Sequence, residues 1–262
     1  MPTLSLPGTE LYYEESGTGV PVMLLHGMGL DGRMWDDQVD ALSDVAHLVR
    51  PDFRGFGRSP RESGCAYSHT ADVWALADHL GWDEAVIVGL SMGGMIALET
   101  VLAAPKRARA LVLLDAFVDG VDLDAATRTT IEALFAAAGA GDRDAARQVW
   151  LEAGLFMPAR RKPELDRRLR EMIGDFSCSD WMGEDPHERR PRLHPRLPDI
   201  EVPTTVVVGQ LDMPGFLDMA DAMSSLIPGA RKVVVPDAGH MVNMEAPAAV
   251  NELLRLVVGE VS

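Results

Sequence analysis

Three side chains that could work together as a catalytic unit lie far apart along the chain. Ser91 lies in "GLSMGG", Asp212 follows "TTVVVGQL", and His240 follows "KVVVPDAG". A serine hydroxyl is a poor nucleophile until a base takes its proton and an acid orients that base. We therefore predict that Ser91 is a nucleophile, that His240 is its base and that Asp212 is the orienting acid.

The residues around Ser91 are typical of a strand-to-helix turn that exposes a nucleophile. Gly89 and Gly93 lie on either side of the serine, where a tight turn leaves no room for a bulky side chain. The motif alone is a weak signal, because glycine and serine are common residues. Its position after the apolar run "VIVGL" and before a helical pattern makes the signal stronger.

Acyl chemistry at a serine also needs two backbone N–H groups for the oxyanion that forms in the transition state. Met92, directly after the nucleophile, provides one N–H group. The loop "HGMG" ends an early strand, and its glycines leave the N–H group of Met28 free to provide the second. We expect these two groups to form an oxyanion hole, and we expect His26 to hold the loop in place rather than to react.

Apolar segments alternate with helical patterns through most of the chain, and these elements must position the three side chains. The segments with strand character are "LYYEES", "VPVMLLHG", "AHLVRPDF", "EAVIVG", "ALVLLDAF", "TTVVVGQLD" and "ARKVVVPDAGH". Apolar strands that alternate with helices imply a parallel sheet covered on both faces. We predict an α/β fold with a mostly parallel central sheet, helices on both faces and an inserted helical cap.

The alternation stops at Val118, and the chain as far as Ile200 is helix-like without a convincing strand. We therefore predict a core formed by residues 1–117 and 201–262, and a cap formed by residues 118–200. Open α/β sheets bind ligands at the carboxyl ends of their strands. We expect the cap to lie over that edge of the sheet.

Composition and charge narrow the classes of function. The 262 residues are 47% hydrophobic and carry a net charge of −16, which argues against binding to nucleic acid or to anionic membranes. The first residues do not resemble a signal peptide, and no apolar run is long enough to span a bilayer, so we expect a cytoplasmic protein. Cys65 and Cys178 are interpreted as free thiols, with one disulfide as the alternative. His69, His79, His187 and His194 share no ligand spacing with cysteine or acidic residues, so we predict no metal site.

Five motifs together give the chain a recognisable family likeness. HGMG, DFRGFGRS, GLSMGG, GQLD and AGH occur in this order from Leu24 to His240. The chain resembles the serine-nucleophile branch of the α/β-hydrolase fold superfamily, and most closely the small bacterial esterases and 3-oxoadipate enol-lactonase-like enzymes. The resemblance implies the roles given above to Ser91, Asp212, His240, Met28 and Met92. Some members take the acid from the preceding strand, so Asp115 after "LVLL" is a second candidate for it.

The resemblance implies a carboxylic ester or lactone hydrolase that forms an acyl-enzyme on Ser91. We expect a small-molecule ester or lactone as substrate and no cofactor, with a homodimer as one option for the oligomeric state. A carbon–carbon bond hydrolase or an acyltransferase with the same triad is one alternative, although Met241 follows His240 where carbon–carbon hydrolases often have tryptophan. A ligand receptor with little turnover is another.

Four further residues are candidates for the substrate pocket. Enol-lactonases must bind a carboxylate, and Arg147 and Trp150 lie one helical turn apart in the predicted cap. In the alternative, Arg147 is solvated and Trp150 belongs to the core. Met213 and Met241 directly follow the predicted acid and base, which favours an adaptable apolar pocket wall. Here the alternative is that the backbone turns these methionines into the core.

Overall fold

The computed structural model describes residues 2–182 and 192–262. An eight-stranded sheet lies at its centre. In chain order its strands are β1 (Thr3–Leu6), β2 (Thr9–Ser16), β3 (Val20–Leu25), β4 (Ala46–Pro51), β5 (Ala85–Leu90), β6 (Ala108–Leu114), β7 (Thr204–Gly209) and β8 (Arg231–Val235).

The strands are ordered β1-β2-β4-β3-β5-β6-β7-β8 across the sheet. β2 pairs antiparallel with β1 and β4. The other six strands, β3 to β8, pair with one another in parallel. Every residue of β5 and β7 is buried, because helices cover both faces of the sheet there, and the polar side chains of β7 are limited to Thr204 and Thr205 at its start. The mostly parallel α/β fold that the sequence predicts is confirmed.

Ten α-helices surround the sheet within the described part of the chain. They are α1 (Asp36–Leu42), α2 (His69–His79), α3 (Met92–Ala103), α4 (Ala125–Gly139), α5 (Arg143–Leu151), α6 (Met157–Arg160), α7 (Pro163–Asp175), α8 (Pro214–Leu226), α9 (Val242–Glu245) and α10 (Pro247–Glu260). A 3₁₀ turn, Gly32–Trp35, leads directly into α1.

The start of α3 differs from the starts of α2, α4 and α5. Ser68, Asp124 and Asp142 cap those three helices by accepting a backbone N–H on their side-chain oxygens. Ser91 is the residue at the corresponding position of α3, yet its side chain makes no capping hydrogen bond. Its hydroxyl is therefore left for another use.

The segment between β6 and β7 is helical in the part that the structure describes. Residues 118–182 and 192–200 contain α4 to α7 and no strand, while residues 183–191 lie outside the described chain. α5 packs against α4 and α7, and the buried side chains of Trp150, Phe156 and Leu169 lie within this segment. The proposed division into core and cap at residues 118 and 200 stays a prediction.

Two simple expectations about the chain can be compared with the structure. Cys65 and Cys178 are both free, as the sequence analysis favours. Among the described helices, none has both the length and the hydropathy that crossing a bilayer requires.

Candidate active site

Ser91 lies at the turn from β5 to α3 with a left-handed backbone. Its φ is 54° and its ψ is −116°, a conformation that costs free energy for a residue with a side chain. Backbone hydrogen bonds hold it there: its N–H donates to Leu114 O at 3.0 Å, and its carbonyl oxygen accepts from Met95 N at 3.1 Å and Phe117 N at 3.0 Å. The sheet and the helix together thus fix the direction of the hydroxyl.

The glycines next to Ser91 are required by close backbone packing. A Cβ atom on Gly89 would lie 2.2 Å from the carbonyl oxygen of Gly93, and one on Gly93 would lie 2.1 Å from the carbonyl oxygen of Leu25. A Cβ atom on Gly94 would lie 2.3 Å from the Cβ atom of Ala116. No other residue type fits at these positions without moving the strands, which explains the pattern seen in the sequence.

The structure brings Asp212 and His240 together from two different strand ends. His240 Nδ1 lies 2.9 Å from Asp212 Oδ2, and both residues are buried. Asp212 Oδ1 accepts the N–H of Met213 at 2.7 Å, which fixes the carboxylate. Since a carboxylate only accepts, Nδ1 carries the proton and Nε2 is left as the basic nitrogen. The Phe216 ring packs on the imidazole with centroids 4.2 Å apart, and the same ring lines a cavity that contains Ser91.

Glu245 holds the loop that carries His240, a role that the sequence analysis missed. Its carboxylate accepts the two N–H groups that flank the histidine, from Gly239 at 2.9 Å and from Met241 at 3.1 Å. Burial raises the pKa of this carboxyl group, and the Lys162 ammonium group, which donates to the Glu245 carbonyl oxygen at 2.6 Å, opposes the rise. The only sequence signal is an acidic residue five positions after His240.

His26 tethers the loop that contains Met28, as the sequence analysis expects. His26 Nε2 accepts the N–H of Phe53 at 2.9 Å, and Nδ1 lies 2.9 Å from the carbonyl oxygen of Gly27. Complete burial lowers the pKa of His26 to about 4, so the ring is neutral at pH 7 and Nε2 remains an acceptor. The imidazole therefore connects this loop to the chain that follows β4.

Trp150 connects the same loop to α5. Its indole Nε1 donates to the carbonyl oxygen of Met28 at 3.1 Å. Gly29, the next residue, has a φ of 72°, and a Cβ atom there would lie 2.7 Å from Trp150 Nε1. The indole can approach the backbone this closely only because residue 29 is glycine.

A cavity of about 280 Å³ contains Ser91, Met28 and Met92 in its lining. The rest of the lining is apolar apart from Thr127, and it includes Ile131 and Phe135 of α4. The Thr127 hydroxyl already donates to Asp124 at 2.7 Å. Among the described residues that line the cavity, Ser91 is the remaining hydroxyl, and no charged side chain is present.

The structure places Arg147 away from this cavity, which corrects the expectation of a cationic pocket residue. Its guanidinium donates twice to the carbonyl oxygen of Phe176, at 2.9 Å and 2.5 Å, and pairs with Asp144 at 3.1 Å. Trp150, three residues later, does line the cavity. Spacing along a helix puts both residues near one face, but it does not show which backbone oxygen a long side chain reaches.

Met213 and Met241 also lie outside the cavity lining, in contrast to the expectation for them. Met241 is fully buried, and the Met213 thioether packs close to Gly154, where an added Cβ atom would lie 3.0 Å from its sulfur. The Met241 side chain thus points into the protein interior, while that of Met213 is partly buried against the segment that contains Gly154. The methionines that line the cavity are Met28, Met92 and Met95.

Comparison with known proteins adds to this geometry. Residues 20–247 match the model of a family described as "alpha/beta hydrolase fold". The chain belongs to this family. The match includes both the "HGMG" loop and the histidine loop, so the alpha/beta hydrolase assignment covers every residue of the candidate site.

Individual alpha/beta hydrolases resemble the chain over nearly its full length. A thermophilic esterase from Thermogutta terrifontis is 31% identical with a TM-score of 0.78, and the match covers 99% of this chain and 97% of that chain. The enol-lactonase from Burkholderia xenovorans LB400 is 25% identical with a TM-score of 0.80, covering 98% and 100%. The pimeloyl-[acyl-carrier protein] methyl ester esterase of Vibrio atlanticus is 28% identical, covering 93% and 96%. These relatives support a hydrolase, with ester hydrolysis as the general reaction.

Proposed function

We propose that the protein is a serine hydrolase that cleaves a carboxylic ester or lactone through an acyl-enzyme on Ser91. One observation carries the proposal: the Ser91 hydroxyl, free of any capping bond, lines an apolar cavity next to the ring that packs on the buried Asp212–His240 pair. A nucleophile, a base and an oriented acid are the groups that acyl transfer at a serine needs.

Each group has one task in the proposed reaction. Ser91 Oγ attacks the carbonyl carbon while His240 Nε2 takes its proton, and Asp212 stabilises the imidazolium that forms. The N–H groups of Met28 and Met92 stabilise the oxyanion. His240 then gives its proton to the leaving alkoxide, and the acyl group stays on the serine. Water next attacks the acyl-enzyme with His240 as base, which releases the acid and restores the hydroxyl.

The lining of the cavity favours a neutral, apolar acyl group. Three methionines offer adaptable thioether surfaces, and no cation among the described lining residues could pair with a carboxylate of the substrate. An apolar cavity of about 150 Å³ holds one benzene molecule. At about 280 Å³, this cavity has room for a group larger than a single ring. We therefore favour uncharged esters and lactones over the carboxylated lactones that an enol-lactonase takes.

The test is hydrolysis of p-nitrophenyl esters and lactones of increasing acyl length by wild-type protein and Ser91→Ala. We expect a burst of p-nitrophenol equal to the enzyme concentration, and a loss of kcat in the variant of about 10⁴-fold or more. Ser225→Ala, which changes an exposed serine on α8, is the matched control and should keep full activity.

Two results would contradict the proposal. Turnover that survives in Ser91→Ala would show that another group is the nucleophile. A wild-type protein that hydrolyses no ester or lactone would favour the carbon–carbon hydrolase or the ligand receptor.

A further inference from the structure

A second buried carboxyl group lies behind the candidate base. Asp115 follows β6, is fully buried, and has a left-handed φ of 42°. Its Oδ1 accepts the N–H of Gly209 at 2.7 Å. Its Oδ2 is buried as well and has no hydrogen-bond partner among the residues that the structure describes. The mechanism proposed above gives this oxygen no task.

Asp115 lies close to both the candidate acid and the candidate base. One side-chain ligand atom from each of Asp115, Asp212 and His240 lies within 4.8 Å of the other two. The groups that act on Asp115 are the Asp212 carboxylate, the His240 imidazole and the backbone N–H groups of Gly209 and Val242. Two carboxylates this close in the protein interior cannot both be ionised without a nearby cation, so one of them keeps a proton. Burial first, and then the charge of Asp212, raises the pKa of Asp115 well above its ordinary value.

We propose that Asp115 and Asp212 form a carboxylic acid–carboxylate pair with one negative charge, in which Asp115 holds the proton and serves as a reserve acid for His240. Asp115 is a positioning residue here. Its protonated oxygen donates to the carboxylate that orients His240, so the pair presents a single charge to the imidazole. When the charge of Asp212 is removed, Asp115 has no like charge beside it and can ionise in its place.

A double-mutant cycle on kcat tests the proposal, which for this readout rests on the proposed function. Asp115→Asn alone should lower kcat by about threefold, a small loss because the amide is neutral and still has a donor. In the Asp212→Asn background the same change should lower kcat at least tenfold further, towards the loss of about 10⁴-fold known for a triad without its acid. A merely structural Asp115 predicts the same effect in both backgrounds, and that additive result would overturn the proposal.

A second measurement does not depend on activity. A carboxyl group with a pKa raised by folding holds a proton that the unfolded chain has already lost. The contribution of this group to the free energy of unfolding is therefore fully present below the pKa of the unfolded chain, about 3.9. It is lost as the pH rises through the pKa of the folded protein. As the pH rises, the folding equilibrium constant of wild type should therefore fall more steeply than that of Asp115→Asn. The additional fall should be up to tenfold per pH unit.

The controls separate the possible failures. Burial also raises the pKa of Asp52, to about 6, but this carboxyl group is present in both proteins, so its contribution cancels in the comparison. Asp115→Ser is measured in parallel as a second neutral variant, so that a folding defect in one variant does not decide the result. Identical pH dependence in wild type and both variants would overturn the proposal. Activity that survives in Ser91→Ala would instead contradict the proposed function and leave the stability test valid.

Discussion

At the scale of single residues, the position of His240 depends on a carboxylate, that of Glu245, whose hydrogen bonds within the described part of the chain go to backbone. Glu245 accepts the N–H groups on both sides of the histidine, so one side chain fixes two peptide planes. The imidazole itself is held by Asp212 at Nδ1 and by the Phe216 ring, whose plane is tilted by 56° to it. His240 therefore has separate supports for its backbone and for its ring.

Glu245→Gln should weaken the support of the His240 backbone and leave the contacts of its ring in place. Glutamine can accept only one of the two N–H groups, and its own NH₂ group then faces the other donor. We expect kcat to fall roughly 10- to 100-fold, the cost of a displacement of about 1 Å at a reacting group. The unfolding free energy should fall by about 1–3 kcal/mol, because a buried N–H group loses its partner.

Ester kinetics and urea unfolding measure the two effects of this substitution. Glu252→Gln, an exposed residue on α10, makes the same chemical change away from the site and should alter neither quantity. An unchanged kcat in Glu245→Gln would mean that the ring contacts alone position the base.

At the scale of secondary structure elements, α5 reaches the candidate oxyanion loop through one hydrogen bond. The indole of Trp150 lines the cavity and also donates to the carbonyl oxygen of Met28. This links a helix between β6 and β7 to the loop after β3. A displacement of α5 should therefore change the oxyanion site as well as the shape of the cavity.

Trp150→Phe separates these two contributions. Phenylalanine keeps an aromatic wall but removes the donor to Met28. We expect kcat to fall about tenfold with little change in KM, a smaller loss than the ~10²-fold or more caused by deleting an oxyanion donor itself. The matched control is Trp74→Phe, which removes an indole bond of the same length, 3.1 Å, to the carbonyl oxygen of Thr100. Equal losses in both variants would contradict a special role for Trp150.

The central strands could be predicted from the sequence because buried strands consist mainly of apolar residues. A strand covered on both faces is a continuous apolar run, as in β5 and in residues 206–208 of β7. β1 has no such apolar run, since it is four residues long and alternates exposed and partly buried positions. The sequence analysis therefore assigned no strand to residues 3–6.

The candidate site could be predicted only as far as chain order and turn geometry determine it. Ser91, Asp212 and His240 follow strand ends, and parallel strands bring those ends to one edge of the sheet. The contacts of Glu245, Trp150 and Arg147 depend instead on which atoms their side chains reach across neighbouring elements. Residue type and spacing do not contain that information.

At the scale of the whole molecule, charge distribution adds a condition on the substrate. The chain carries a net charge of −16, and the described lining of the cavity contains no charged side chain. An anionic substrate is repelled on approach, and it finds no counter-charge once it is bound.

An ester whose acyl chain ends in a carboxylate should therefore be a poor substrate compared with the neutral ester of equal length. We expect kcat/KM to be at least ~100-fold lower for the anionic ester, equivalent to about 2.8 kcal/mol. Raising the salt concentration should recover part of this difference, since the Debye length is only about 10 Å at 0.1 M. Rates on both esters across a salt series test this. A preference for the anionic ester would favour the enol-lactonase type of substrate instead.

The different construction of the two sides of the cavity has a consequence for how this chain can evolve. The turn at Ser91 is packed backbone against backbone, so substitution at Gly89 or Gly93 damages the fold whatever the substrate. The wall from α4 is made of side chains, and one of them, Phe135, is 47% exposed. Mutations at Ile131 and Phe135 can reshape the proposed acyl pocket at little cost to folding. New substrate ranges are thus open to the chain through one helix, while the reacting groups remain unchanged.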